Sequence, residues 1–181
     1  HLNFPCVDYC NHGLEKNKMT GGAIVSRQQL SLEKLKRLAV QALVRHHTGE
    51  MNARIVAEAL VMAEADGQKG HGLSRLPSYC AQAASGKVDG HARPRWDPVS
   101  EAAVRIDACH GFAYPALALA VDTVAGLAHR AGVRVAAVHN SHHCGVAGHH
   151  VEALARKGLV SILFANTPKA IAPWGGENAV F

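Results

Sequence analysis

From Ser31 onward, apolar residues recur at Leu32, Leu35, Leu38, Ala39, Ala42 and Leu43, while Glu33, Lys34, Lys36 and Arg37 fall on the opposite side. This i, i+3, i+4, i+7 spacing predicts an amphipathic helix. A second helix is expected from about Asn52, read as its N-cap, through Ile55, Val56, Ala59, Leu60, Met62 and Ala63 to Gly67, where glycine can close a helix. Residues 86–98 (GKVDGHARPRWDP) interrupt the helical period with two Gly and two Pro among charges and read as an extended connection. The pattern then changes. Ala103–Asp107 reads as a short strand, Tyr114–Arg130 as an Ala/Leu helix ended by Gly132, and Val133–Val138 as a buried strand. A His-rich turn at 139–150 follows, then a helix from about Val151 to Lys157 closed by Gly158, and a second buried strand over Leu159–Ala165. Strands alternating with helices at this pitch predict an α/β layer, in which ligands sit beyond the carboxyl ends of the strands. Residues 139–150 and 166–176 fall there.

Composition narrows the class. With 181 residues, 48% hydrophobic and 18% charged, the chain can bury a real core and is not a disordered one. Nineteen Lys and Arg against fourteen Asp and Glu give a net charge of +5, which suits anionic small molecules as well as nucleic acid. No apolar run reaches membrane-spanning length and the N-terminus lacks a signal-peptide pattern, so a cytoplasmic protein is expected. Cys6, Cys10, Cys80, Cys109 and Cys144 are odd in number and scattered, which fits reduced thiols. Residues 1–18, ahead of Met19, read as an upstream leader, and the apolar Ala179-Val180-Phe181 close reads as an interrupted strand, so a fragment is expected. The expected organisation is a helical region over 19–98 and an α/β region over 99–181.

Three segments could carry chemistry. In Gly67-Gln68-Lys69-Gly70-His71-Gly72-Leu73-Ser74-Arg75-Leu76-Pro77, the imidazole of His71 stands between glycines, which suits a proton donor. Arg75 lies four residues on, and in helical turn geometry it would share a face with His71 and could grip a carboxylate bidentately. The plainer alternative is a helix-capping glycine, a surface histidine and an arginine paired with some acid. The second segment, 139–150, holds five His and Cys144 within twelve residues, a set that could ligate zinc, although the spacing matches no established ligand pattern. Its position after a strand and before a helix equally suits a small-residue loop, Gly145-Val146-Ala147-Gly148, whose backbone N–H groups meet phosphate. The third, Asn166-Thr167-Pro168 with Ala172-Pro173-Trp174-Gly175-Gly176, is a strand end and a rigid turn. Cys6, Cys10 and His12 would lack a fourth ligand for zinc. Trp96 and Trp174 offer no stacking platform for single-stranded nucleic acid.

Together these segments resemble the type-2 malate/L-lactate dehydrogenase family, whose fold is unrelated to that of ordinary lactate dehydrogenases. The likeness runs from about Leu32 to Phe181 and is carried by GHGLSRLPSY (70–79), GKVDGHARP (86–94), NSHHCGVAG (140–148) and FANTPKAIAPWGG (164–176). It implies an N-terminal helical region plus an incomplete α/β cofactor-binding domain, not an ordinary Rossmann fold. It also implies NADPH- or NADH-dependent hydride transfer to a small 2-oxo acid or a cyclic 2-imino acid by a protein that is homodimeric at full length, with no nucleic-acid or membrane partner and no metal. By the same resemblance His71 is the proton donor and Arg75 the clamp on the substrate carboxylate. His143, Cys144, Gly145, Val146 and Ala147 line the cofactor, with His143 matching a residue named as acid/base in some members, and Thr167 contacts the cofactor at a strand end. Gly70 replaces the family's usual Ser, and the Lys69–Gly72 variant with Ser85–Gly90 looks more like the cyclic-imine reductases than the malate enzymes. An acidic partner of the histidine and much of the cofactor site are expected beyond Phe181, so the chain by itself is expected not to turn over. Two rivals stay open: a zinc-dependent hydrolase or lyase using the 139–150 histidines, and a basic nucleic-acid-binding domain.

Overall fold

The computed structural model describes residues 29–166 and 172–180. The leader at 1–18, with Cys6, Cys10 and His12, and the segment containing Thr167 and Pro168 lie outside the described residues.

Helix α1 (Leu32–Arg45) starts where Ser31 Oγ accepts the Lys34 N–H at 3.3 Å, a local cap. Its apolar stripe packs on α2 (Glu50–Ala65) through Ala39, Leu43, Ala53, Val56, Ala57 and Leu60, none of which is exposed to solvent. The alanines at this seam let the two helices approach closely, and Lys36 with Glu58 form an ion pair at its edge. Asn52 is not the N-cap of α2, as the sequence suggested. Gly49 occupies that position, and Asn52, one turn inside, donates through Nδ2 to the carbonyls of Gly90 and Ala92, both at 2.9 Å. The α1–α2 turn is thereby bolted to the 86–92 connection, and Gly90 must be glycine because a Cβ there would lie 2.3 Å from the His47 carbonyl. Gly67, with φ +75°, follows the end of α2 as expected.

A 3-10 turn at Leu73–Arg75 leads into α3 (Leu76–Ala84), with Pro77 in its first turn. Strand β1 (Arg95–Ser100) pairs antiparallel with β2 (Ala103–Asp107), and β2 pairs in parallel with β3 (Val135–His139). Helix α4 (Ala113–Ala131) is the crossover between β2 and β3 and ends at Gly132 in positive φ, as expected. Ile106, Ala108, Ala116 and Ala120 form the core beneath the sheet, while Tyr79, Phe112 and Tyr114 join the helical core. Helix α5 (Ala147–Ala155) begins earlier than the sequence suggested.

Three expectations need correction. The stretch 86–98 contains the start of a strand, β1, hidden by its Pro98 and by full exposure along its length; proline is tolerated on such an edge strand. The expected buried strand at 133–138 is β3, and its residues alternate between exposed and half-buried because one edge and one face lack cover among the described residues. Leu159–Ala165 forms no strand. Val160, Ile162 and Phe164 are exposed, and no described residue pairs with the segment, so its apolar character alone does not build a ladder.

Candidate functional site

His71 sits in a succession of tight turns rather than in a regular helix: His71 N–H donates to Gln68 O at 2.8 Å and Arg75 N–H to Gly72 O at 3.0 Å. Glu64 on α2 anchors this segment by accepting the Leu73 N–H at 3.0 Å. Gly72 is pressed against the same residue, since a Cβ there would fall 2.4 Å from Glu64 Oε2 and 3.1 Å from its Cα. Arg75 Nε donates to the Gly70 carbonyl at 2.6 Å, which bends its side chain back toward the turn. Among the described residues no ion pair involves Arg75, so its charge is not neutralised by an acid.

The turn after β3 comes to meet this segment. His143 stacks on His71 with ring centroids 5.4 Å apart and planes within 12°. Its Nδ1 accepts from the Gly145 N–H at 3.1 Å and lies 3.3 Å from Tyr79 Oη, which in turn lies 3.2 Å from Tyr114 Oη. Tyr79 projects from α3 and is nearly sealed from solvent, its ring edge-on to His142 at 4.9 Å and tilted on Phe112 at 5.6 Å. Burial raises the pKa of both phenols, so both keep their protons.

Four of the histidines of 139–150 are each held by different groups. His142 Nε2 meets Gln82 Oε1 at 3.1 Å, His143 meets Gly145 and Tyr79, His149 Nε2 meets Asp66 Oδ2 at 2.7 Å, and His150 Nε2 meets the Cys144 carbonyl at 2.9 Å. Burial, then His143 and Lys87, pushes His142 down to about 4. Burial, followed by Arg75 and His71, also lowers His143, and burial lowers His150. All three rings are therefore neutral at neutral pH. Among the described residues no three His, Cys, Asp or Glu side chains converge as a metal-binding group. Cys80, Cys109 and Cys144 are free thiols.

His71, Arg75, His143, Cys144 and Gly145 thus lie in one neighbourhood, while Val146, with His149 and His150, also lines a groove of about 610 Å³ between α2, α4 and α5. Ala147 opens α5. A smaller cavity of about 220 Å³, at the carboxyl ends of β2 and β3, is lined by Lys87, His110, Asn140, Ser141 and His142. Cys109, His110 and Asn140 beside it hold positive φ, with Asp107 Oδ1 accepting from the Cys109 N–H and the Asn140 amide. Neither cavity includes His71 or Arg75. The sequence reading missed Tyr79, Tyr114, Gln82 and Glu64. Tyr79 stands four residues after Arg75, a helical spacing that could have flagged it; Tyr114 and Glu64 carry no local signal, because the partners of Tyr114 lie 31 and 35 residues away and those of Glu64 lie 8 and 9 residues away.

Residues 30–181 match the malate/L-lactate dehydrogenase family. A (2R)-3-sulfolactate dehydrogenase (NADP(+)) of Chromohalobacter salexigens is 46% identical over 154 residues, 85% of this chain and 46% of that protein. A delta(1)-pyrroline-2-carboxylate/delta(1)-piperideine-2-carboxylate reductase of Pseudomonas putida is 40% identical over 137 residues, 76% of this chain and 40% of that protein. The crystal structure of delta1-piperideine-2-carboxylate reductase from Pseudomonas syringae superposes with a TM-score of 0.69 at 40% identity, covering 73% of this chain and 40% of that one. The chain spans under half the length of these relatives. By the match across nearly all of its described residues, the chain belongs to the type-2 malate/L-lactate dehydrogenase family.

Proposed function

We propose that this chain carries the proton-donating and carboxylate-binding part of an NADPH- or NADH-dependent oxidoreductase acting on a small 2-oxo acid or cyclic 2-imino acid. The observation that carries the reading is the convergence of His71 and an acid-free Arg75 on His143 at the meeting of two segments far apart in sequence. Arg75 keeps its terminal guanidinium nitrogens for a substrate carboxylate, a planar anion that the fork can bind through two parallel hydrogen bonds. His71 gives a proton to the carbonyl oxygen or imine nitrogen next to that carboxylate. Its Nδ1 is buried and unpartnered among the described residues; an acceptor seated there would fix the ring so that Nε2 carries the exchangeable proton.

The residues present fit a nicotinamide cofactor. The orphaned Nδ1 atoms of His71 and His142 mark polar positions still to be satisfied, and a Cβ on Gly148 would meet only Val146 Cγ1 at 3.8 Å, leaving open space at the start of α5. His143, Cys144, Gly145, Val146 and Ala147 would hold the cofactor, with the N–H groups of the first turn of α5 suited to an anionic portion. When bound, the cofactor supplies the hydride. The chain's own part is to hold the carboxylate and the proton donor in a fixed relation, which turns an encounter of several groups into a positioned reaction.

The relatives' names support both substrate classes, a 2-hydroxy sulfonate-bearing acid and cyclic imines. The deciding experiment uses protein expressed from the complete reading frame. It follows consumption or formation of NADH and NADPH with pyruvate, malate, 3-sulfolactate, pyrroline-2-carboxylate and piperideine-2-carboxylate. Turnover of one of these is expected; failure with all of them and both nucleotides would remove the reading.

A further inference from the structure

We infer that Tyr79 is a positioning residue that, together with the Gly145 amide, holds His143 as a neutral imidazole protonated at Nε2. His143 then meets whatever is bound as a hydrogen-bond donor and leaves proton transfer to His71. The inference rests on the proposed reductase only for what the Nε2–H meets; the tautomer itself is a property of the chain.

The Gly145 N–H points at His143 Nδ1 from 3.1 Å, and an N–H can only donate, so Nδ1 must present its lone pair. A proton on Nδ1 would set two donors against each other. Tyr79 Oη approaches the same nitrogen at 3.3 Å, and its own oxygen is 3.2 Å from Tyr114 Oη, so a phenol chain Tyr114–Tyr79–His143 ends on the same lone pair. Since burial keeps both phenols protonated, the chain has protons to donate along its length.

None of these groups is free to turn away. Tyr79 is wedged between Phe112 and His142. Gly145 holds φ +71°, and a Cβ on it would come within 2.5 Å of Tyr114 Oη, so glycine at 145 is required both by its backbone and by the phenol beside it. The groups acting on His143 are His71 and Arg75 from the turn before α3, Tyr79 from α3, and His142 within its own turn; Tyr114 on α4 acts through Tyr79. Among the described residues no carboxylate is one of them, and the Arg75 guanidinium opposes a second positive charge. His71 differs in the one respect that matters, because no donor among the described residues occupies its Nδ1. Two stacked imidazoles are thus given different tasks by what touches their nitrogens.

The test is magnetic resonance of isotope-labelled histidine ring nitrogens in the protein from the complete reading frame, without ligand, from neutral to mildly acidic pH. His143 is expected to show an unprotonated Nδ1 and a protonated Nε2 at neutral pH. Tyr79→Phe is expected to raise the His143 titration midpoint by about half to one pH unit, the size of one lost hydrogen bond to the neutral form. Tyr114→Phe should move it less. A proton on Nδ1, an imidazolium at neutral pH, or a midpoint unmoved in Tyr79→Phe would overturn the inference. Should Tyr79→Phe fail to fold, the wild-type tautomer decides alone. Absence of turnover across the carboxylate panel removes the reductase assignment and leaves the tautomer result standing, so the two failures are distinguishable.

Discussion

Two glycines flank His71, and they face different surroundings. Gly70 has no atom within 4 Å of the place a Cβ would take and its φ is not positive, whereas a Cβ on Gly72 would strike Glu64. Gly70→Ser is therefore expected to change stability by no more than about 0.5 kcal/mol, as an unhindered surface substitution does. Gly72→Ala should cost about 1–3 kcal/mol, the usual range for forcing a methyl into occupied space. Thermal melts of the two variants check the contrast, and equal melting temperatures would contradict it. For the chemistry, His71→Ala is expected to lower the turnover of the complete enzyme by at least about a hundredfold, the usual contribution of a positioned general acid. Steady-state rates test this, and near-wild-type turnover would reassign the proton to another group. The GHG triplet was legible in the sequence as a site for an accessible imidazole; that one glycine is packed and the other free depends on α2 lying against residue 72, which no local pattern encodes.

At the scale of elements, the turn after β3 and helix α5 are held to the helical layer by imidazoles. His142 reaches Gln82 on α3, and His149 reaches Asp66 at the end of α2. The pKa of His142 falls from 6.5 in the unfolded chain to about 4 in the folded one, and those of His143 and His150 are lowered as well. Between the two values the unfolded chain binds more protons than the folded one, so stability is complete above about 6.5 and is lost as the pH falls toward about 4. Melting temperature measured against pH should show this decline. His142→Phe, which retains a ring against Tyr79 and Phe112, should make the slope shallower; an unchanged slope would exclude His142 as a source.

The same scale shows which elements can be read directly. α1, α2 and α4 declare themselves because a helix satisfies its own backbone and shows its buried face as a repeating stripe. β1 and Leu159–Ala165 mislead in opposite directions because a strand exists only by pairing. β1 is exposed and interrupted by Pro98 yet finds β2, while 159–165 is apolar and finds no strand partner among the described residues.

For the molecule as a whole, the family match and the site geometry lead to one further expectation. NADPH or NADH should stabilise the complete protein, by about 2.7 kcal/mol at a ligand concentration a hundred times its Kd. A thermal-shift titration measures this, and a melting temperature indifferent to both nucleotides would count against the cofactor proposal. The net charge of +5 had left nucleic acid as a rival; a polynucleotide affinity that falls steeply with salt would revive it.

The sequence by itself determined α1, α2 and α4, the βαβ order of the α/β part and the two segments on which a functional site could stand, because periodicity, capping residues and motif spacing are local. It also carried the family likeness, since GHGLSRLPSY and NSHHCGVAG are contiguous strings. Only the tertiary structure decided that His71 stacks on His143, that four of the histidines of the turn are each held by different groups, and that Tyr79 and Gly145 share one ring nitrogen. Those are contacts between residues up to 83 positions apart, and what an imidazole can do is set by the atoms that reach its nitrogens in space rather than by its neighbours along the chain.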